Sequence, residues 1–219
     1  MSELSFELRR SANTVTSREQ RHVAFWGGTV GQLGAVELVV PALEVIPVGD
    51  RETGGAAVTG ESVPPSSFTG LAYGGRPRLA RGRLQVAGQE AALSRGSWRT
   101  SREGRALRIR VVGREYHYQE RGNRRHHVLE RAGARVEMTR SSASLASETL
   151  RGTAGGAVDS VDLSLAILLE GVYTRNLSLR GALISAPGRL LDRLRRRRPD
   201  GHEESDRRLH HGSRAVGGL

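Results

Sequence analysis

The chain has 219 residues and a formal net charge of +11. It contains no cysteine, which excludes disulfides, thiolate nucleophiles and cysteine metal sites. All 34 of its basic residues are arginine, so the phosphate-binding lysine of a nucleotide loop is excluded as well. With asparagine, isoleucine and phenylalanine scarce, this composition is typical of a GC-rich bacterial genome, and part of the basicity reflects codon usage.

The positive charge is unevenly distributed along the chain. Residues 1–94 carry as many arginines as acids, whereas residues 95–140 carry 13 arginines against five acids. Residues 187–219 carry nine against five. Codon usage alone would spread the charge more evenly, so an electrostatic role for these two segments is kept as a hypothesis beside the simpler one of a solvated face and a solubilising tail.

Export and membrane spanning are not expected. The N-terminus has Glu3 where a signal peptide needs a cationic region, and no apolar run follows. The longest uninterrupted apolar stretch, residues 165–169, is far shorter than the ~20 residues that cross a bilayer. We therefore predict a cytoplasmic protein without a transmembrane segment.

The first half of the chain predicts few elements. Residues 4–8 alternate apolar and polar side chains, and residues 36–40 form a β-like run before Pro41. Residues 27–31 are glycine-rich and predict a turn or loop between these strands. Residues 49–67 collect glycine, proline and serine and predict a long loop inside one domain.

The clearest pattern predicts a meander of four antiparallel strands. Leu107–Val111 alternates three apolar residues with two arginines, and residues 115–119, 127–130 and 135–138 follow across turns that contain glycine. Tyr116 and Tyr118 share one face of their strand, which predicts that both pack in the core.

A buried helix is predicted after the meander. Asp159 or Ser160 can cap a helix that runs through Leu169 until Gly171 allows it to end. Apolar residues cover nearly every side of this helix, so the sheet should surround or sandwich it. Residues 177–183 fit another strand, although a helix is also possible there.

These elements define the predicted fold class: all-β or β-rich α+β, with an antiparallel meander forming a barrel or sandwich and one buried hydrophobic helix near the C-terminus. Residues 1–186 form a single domain in this interpretation. Residues 187–219 form a basic, largely disordered C-terminal tail, because they offer few apolar groups to bury.

The order of elements in residues 70–185, with a hairpin at Leu129-Glu130-Arg131-Ala132-Gly133 before the apolar helix, resembles the tubby-like and LURP-one-related group. This resemblance implies a closed antiparallel barrel around a hydrophobic C-terminal helix, and lipid-related or scaffold roles. It implies no site residue, because no motif matches residue by residue.

The motifs that suggest chemistry have simpler interpretations. His126 and His127 precede Glu130 as in a metal motif, but neighbouring residues on a strand point to opposite faces, so both are predicted to be surface or turn residues. The spaced glycines at residues 28–34 predict a loop. Asp159 and Asp162 are explained by helix capping and the helix dipole. We predict no metal site and no cofactor.

The basic face of the meander is the stronger candidate for a functional site. Arg108 and Arg110 share a face with His117, and Arg114, Arg124 and Arg125 crowd the nearby turns, so a phosphate-binding patch is possible. No aromatic stacking platform accompanies it, because the tyrosines fall on the other face. The tail adds a second arginine-rich segment, made up of Arg193, Arg195, Arg196, Arg197 and Arg198.

Three functions remain open. We favour a non-enzymatic β-rich binding or scaffold domain of unknown ligand, with a protein partner possible. The alternative is polyanion binding, to nucleic acid or an anionic membrane surface, through residues 95–140 and 189–198. The third is an unrecognised hydrolase or lyase, for which His22, Glu115 and His117 are the available acid–base groups.

Overall fold

A computed structural model describes residues 4–11, 23–41, 55–72, 76–77, 82–95, 104, 106–123, 125–141 and 148–172. The chain divides into two units, Met1–Leu183 and Ile184–Leu219, and every described residue belongs to the first. The predicted element at residues 177–183, the whole tail with its arginines, His22 and Arg124 lie outside the described residues.

The described residues form fifteen strands. Those of the first half are β1 (Leu4–Arg10), β2 (Val23–Thr29), β3 (Ala35–Pro41), β4 (Ala56–Gly60), β5 (Ser66–Thr69), β6 (Leu71–Ala72), β7 (Arg76–Pro77), β8 (Arg83–Val86) and β9 (Gln89–Glu90). Those of the second half are β10 (Ala92–Arg95), β11 (Leu107–Val111), β12 (Arg114–Glu120), β13 (His126–Arg131), β14 (Ala134–Ser141) and β15 (Thr149–Gly156).

Thirteen of these strands build one antiparallel sheet that is shaped as a nearly closed barrel, which confirms the predicted fold class. The strand order is β10-β11-β12-β13-β14-β15-β1-β2-β3-β4-β5-β8-β9, and β6 pairs with β7 separately. Only Ala91 separates β9 from β10, the two ends of this order, and its N–H donates to the carbonyl oxygen of Leu84 at 2.8 Å. The chain therefore runs from β8 through β9 and β10 to β11 without a long connection. Because β9 and β10 are the two ends of the sheet, this brings those ends together.

Two predictions for the first half are wrong. Three of the five residues in the predicted turn at residues 27–31 belong to β2, which continues to Thr29, and the turn itself is a 3-10 helix at Gly31–Leu33. The predicted loop at residues 49–67 contains β4 and the beginning of β5. In β4 the inward residues are the small Ala56 and Val58, so the alternation is present but is hidden among glycine and threonine.

The four-strand meander is confirmed as β11 to β14, each paired with the next in antiparallel register. It continues into β15, which was not predicted and which pairs with both β14 and β1. Tyr116 and Tyr118 are completely buried, as predicted.

The predicted helix is confirmed as α1 (Ser160–Val172). Asp159 caps it, because its Oδ1 accepts hydrogen bonds from the backbone N–H groups of Val161 and Asp162. The helix contacts β3, β4, β5 and β8 on one side and β13 and β14 on the other, so it lies inside the barrel. Within the described ranges, no helix is long and apolar enough to span a membrane.

Candidate functional site

Inward-facing polar side chains of the barrel meet the N-terminal end of α1 at Asp162. This aspartate is 2% exposed. Its Oδ1 accepts hydrogen bonds from the Tyr116 hydroxyl at 2.9 Å and from Arg131 Nε at 2.8 Å. Its Oδ2 accepts from Arg131 Nη2 at 2.7 Å and from the backbone N–H of Asp159 at 3.0 Å. The buried carboxylate is therefore fully hydrogen-bonded, as a buried charge must be.

Arg114, which was predicted to lie beside a turn in the basic patch, pairs with the acidic residues at this end of the helix. Its Nη2 lies 2.7 Å from Asp159 Oδ2 and its Nη1 lies 3.4 Å from Asp162 Oδ1. The hydrogen bond to Asp159 raises the pKa of Arg114. The bond to Asp162 likewise raises the pKa of Arg131, and burial raises the pKa of Tyr116. All three shifts further favour the charged form of the arginines and the neutral form of the tyrosine.

The C-terminal end of α1 carries a second polar cluster around Glu170, which is completely buried. Its Oε1 accepts a hydrogen bond from the Tyr118 hydroxyl at 2.8 Å and lies 2.9 Å from His127 Nδ1. Arg140 Nη2 donates to the backbone carbonyl of Glu170 at 2.6 Å, and Arg140 Nη1 donates to Glu148 at 2.7 Å. A cation at the last carbonyls of a helix also complements the helix dipole.

His127 corrects a prediction. It was expected at the surface or beside a turn, but it is completely buried and faces α1. His126 points to the other face of β13, as the strand geometry requires, and its Nε2 lies 3.0 Å from Glu137. Burial raises the pKa of Glu137, but hydrogen bonds from Arg135 and His126 more than offset this and leave that pKa lowered.

The outer face of the meander is largely charge-compensated. Arg110 pairs with Glu115 at 3.1 Å, and Arg135 donates to Glu130 at 2.8 Å and to Glu137 at 2.6 Å. Arg108 and Arg125 are exposed, and their side chains have no ion pair with any described residue. Of the predicted patch, Arg108 and Arg110 thus share a face, whereas Arg114 is directed toward the helix.

Two of the three acid–base groups considered for a hydrolase or lyase, His117 and Glu115, lie on the same outer face. His117 and Glu115 are each a little under half exposed, and His117 Nε2 lies 3.7 Å from Glu115 Oε1. In the part of the chain that the structure describes, no group of three or more histidines and acids could hold a metal ion.

One open depression lies beside the β13–β14 turn. It encloses about 500 Å³ and is lined by Glu130, Arg131, Gly133, Ala134, Arg135, Gly155 and Gly156. The neighbouring space between Arg131, Tyr116 and Asp162, which shares Arg131 with the depression, has no room for a water molecule. The depression is therefore a surface feature and does not lead into the barrel.

The inward direction of Arg131 and Arg140 was not predicted from the sequence. Arg131 falls in the same alternation as Leu129 and His127 on β13, and Arg140 falls in the alternation of Met138 on β14. A charged residue in register with core residues was the available signal, because it must find an interior partner.

No protein-family model, curated protein or solved structure matches the chain. The resemblance to the tubby-like and LURP-one-related group stays a prediction.

Proposed function

We propose that this chain is a non-enzymatic β-barrel domain that binds a partner through its outer surface. The observation that carries the proposal is that α1 occupies the interior of the barrel. The inward polar side chains are directed at the two ends of this helix and not at an open cleft. Small-molecule sites, in contrast, are concave and mostly apolar with a few convergent polar groups.

The open depression beside the β13–β14 turn is the surface we nominate for partner binding. A side chain added at Gly155 would meet no atom within 4 Å, so this position opens to solvent. The two arginines that line the depression are engaged by carboxylates, Arg131 by Asp162 and Arg135 by Glu130. This pairing favours a protein surface of mixed polarity as the partner, because a phosphate would compete with charges already in place.

Site-specific photo-crosslinking in the native host tests the proposal. A photoreactive phenylalanine analogue replaces Gly155 in the depression, and in a control it replaces Gln85, which is exposed on β8. We expect one discrete adduct with a protein at position 155, absent at position 85 and lost when untagged chain is added in excess. Equal adducts at both positions, or no adduct at either position, would contradict the proposal.

Polyanion binding through the outer face of the meander is the second candidate, supported by Arg108 and Arg125, which lack ion pairs within the described ranges. Affinity for duplex DNA and for acidic vesicles would be measured against salt, because counterion release makes such binding fall steeply with ionic strength. The double variant Arg108→Gln, Arg110→Gln should weaken it, and a chain that ends at Gly188 should show the contribution of the tail. Salt-independent or absent binding would reject this candidate.

A further inference from the structure

The two ends of α1 differ in how completely their buried polar atoms are hydrogen-bonded. At the N-terminal end, both carboxylate oxygens of Asp162 have partners. At the C-terminal end, five buried side-chain atoms of the described residues make no hydrogen bond within the described part of the chain: Glu120 Oε2, His127 Nδ1, His127 Nε2, Arg140 Nε and Glu170 Oε2. His127 Nδ1 is close to Glu170 Oε1, but the two atoms do not meet in hydrogen-bonding geometry.

These five atoms belong to four residues that lie close to one another. Glu120 stands directly opposite His127 in the β12–β13 register. His127 Nδ1 lies 2.9 Å from Glu170 Oε1, and Arg140 Nη2 lies 3.9 Å from Glu170 Oε2. Three strands and the end of the helix therefore converge on one small polar region.

This region is energetically unusual for a folded protein. About nine in ten buried polar groups in proteins are hydrogen-bonded, and each one left unpaired costs about 1–3 kcal/mol, or more if it is charged. Five such atoms would cost as much as the whole stability of a typical domain, which is about 5–15 kcal/mol. We therefore expect a partner other than the described side chains to satisfy most of them.

The mixture of groups identifies the chemistry of that partner. Glu120 Oε2 and Glu170 Oε2 accept hydrogen bonds when ionised, Arg140 Nε only donates, and a neutral imidazole does one of each. Water donates twice and accepts twice, and a buried water makes about three hydrogen bonds on average. We propose that the C-terminal end of α1 holds a buried water site, in which ordered water hydrogen-bonds to His127, Glu120, Glu170 and Arg140.

A crystal structure of the full chain, at a resolution that shows ordered water, tests the proposal directly. We expect at least one water within about 3.2 Å of a His127 ring nitrogen and of one further unpaired atom of the cluster. The proposal is overturned if the region is dry, if another side chain of the protein supplies the partners, or if a metal ion or organic molecule is found there.

Two variants of similar side-chain volume provide a second test by thermal unfolding. If water is present, His127→Gln should unfold at a higher temperature than His127→Leu, because the amide continues to hydrogen-bond to the water. If the region is dry, the order should reverse, since leucine introduces no unpaired polar atom. The reversed order would contradict the proposal, and the crystal structure decides the question should neither variant fold.

Discussion

Arg131 and Asp162 form a two-pronged ion pair between β13 and the first turn of α1, with Nε and Nη2 at 2.8 and 2.7 Å from the two carboxylate oxygens. Arg131 also donates to the backbone carbonyls of Ala132 and Ala157. The guanidinium therefore joins the β13–β14 turn, the segment before the helix and the helix itself. This contact fixes where α1 begins inside the barrel.

Arg131→Met should destabilise the barrel by about 3–5 kcal/mol, because Asp162 would remain buried with its strongest partner removed. Denaturant unfolding measures the change. Arg110→Met is the matched control: its pair with Glu115 is exposed, so it should shift the free energy of unfolding by about 0.5 kcal/mol or less. Equal effects of the two variants would show that the Asp162 contact does not hold the helix.

Gly152 on β15 should tolerate no larger residue. It lies opposite Phe6 on β1, and an added Cβ would come within 2.6 Å of Cε2 of that ring. Gly152→Ala should therefore cost about 1–3 kcal/mol through overpacking, measured as the free energy of unfolding. Gly155→Ala on the same strand meets no atom within 4 Å and should be close to neutral. A neutral Gly152→Ala would mean that β1 and β15 are further apart than described.

Ala87 offers a stabilising substitution. It is exposed at the β8–β9 turn and has φ of 51°, followed by Gly88 with φ of 75°, which is a type I′ pattern that favours Asn-Gly. Ala87→Asn should raise stability by about 1 kcal/mol, because alanine pays a steric cost in the left-handed region. Ala132→Asn before Gly133 is the control, since Ala132 has no positive φ. A lower unfolding temperature for Ala87→Asn would contradict the turn geometry.

Asp159 should make stability depend on acid pH. Burial raises its pKa, but the hydrogen bond from Arg114 more than offsets this and leaves the pKa below its ordinary 3.8. A carboxyl with a depressed folded-state pKa stabilises the protein above its unfolded pKa and loses that contribution as the pH falls through the folded value.

Urea midpoints measured between about pH 5 and pH 2 should therefore fall less steeply in Arg114→Gln than in the natural chain. Arg108→Gln should keep the natural slope, because Arg108 has no ion pair among the described residues. Parallel curves for all three proteins would exclude Arg114 as the cause.

Local patterns in the sequence were sufficient for the meander and for α1. Leu107–Val111 alternates strictly, and the helix is apolar on every side, so strand, face and burial follow from neighbouring residues alone. Local patterns did not predict β4, because its inward residues Ala56 and Val58 are small and the alternation is hard to recognise among glycine and threonine. Local patterns also failed for His127. Alternation along a strand shows which residues share a face, but it does not show whether a polar residue on that strand faces the core.

The arginines show what only the tertiary structure decided. Composition and order along the chain fixed how many arginines residues 95–140 carry. Which of them point outward to Glu115 and which point inward to Asp162 or Glu170 depends on a helix that follows 20 or more residues later. A charged side chain enters the core only where a distant partner offsets the loss of its hydration, and folding alone brings Arg131 and Arg140 to the two ends of α1.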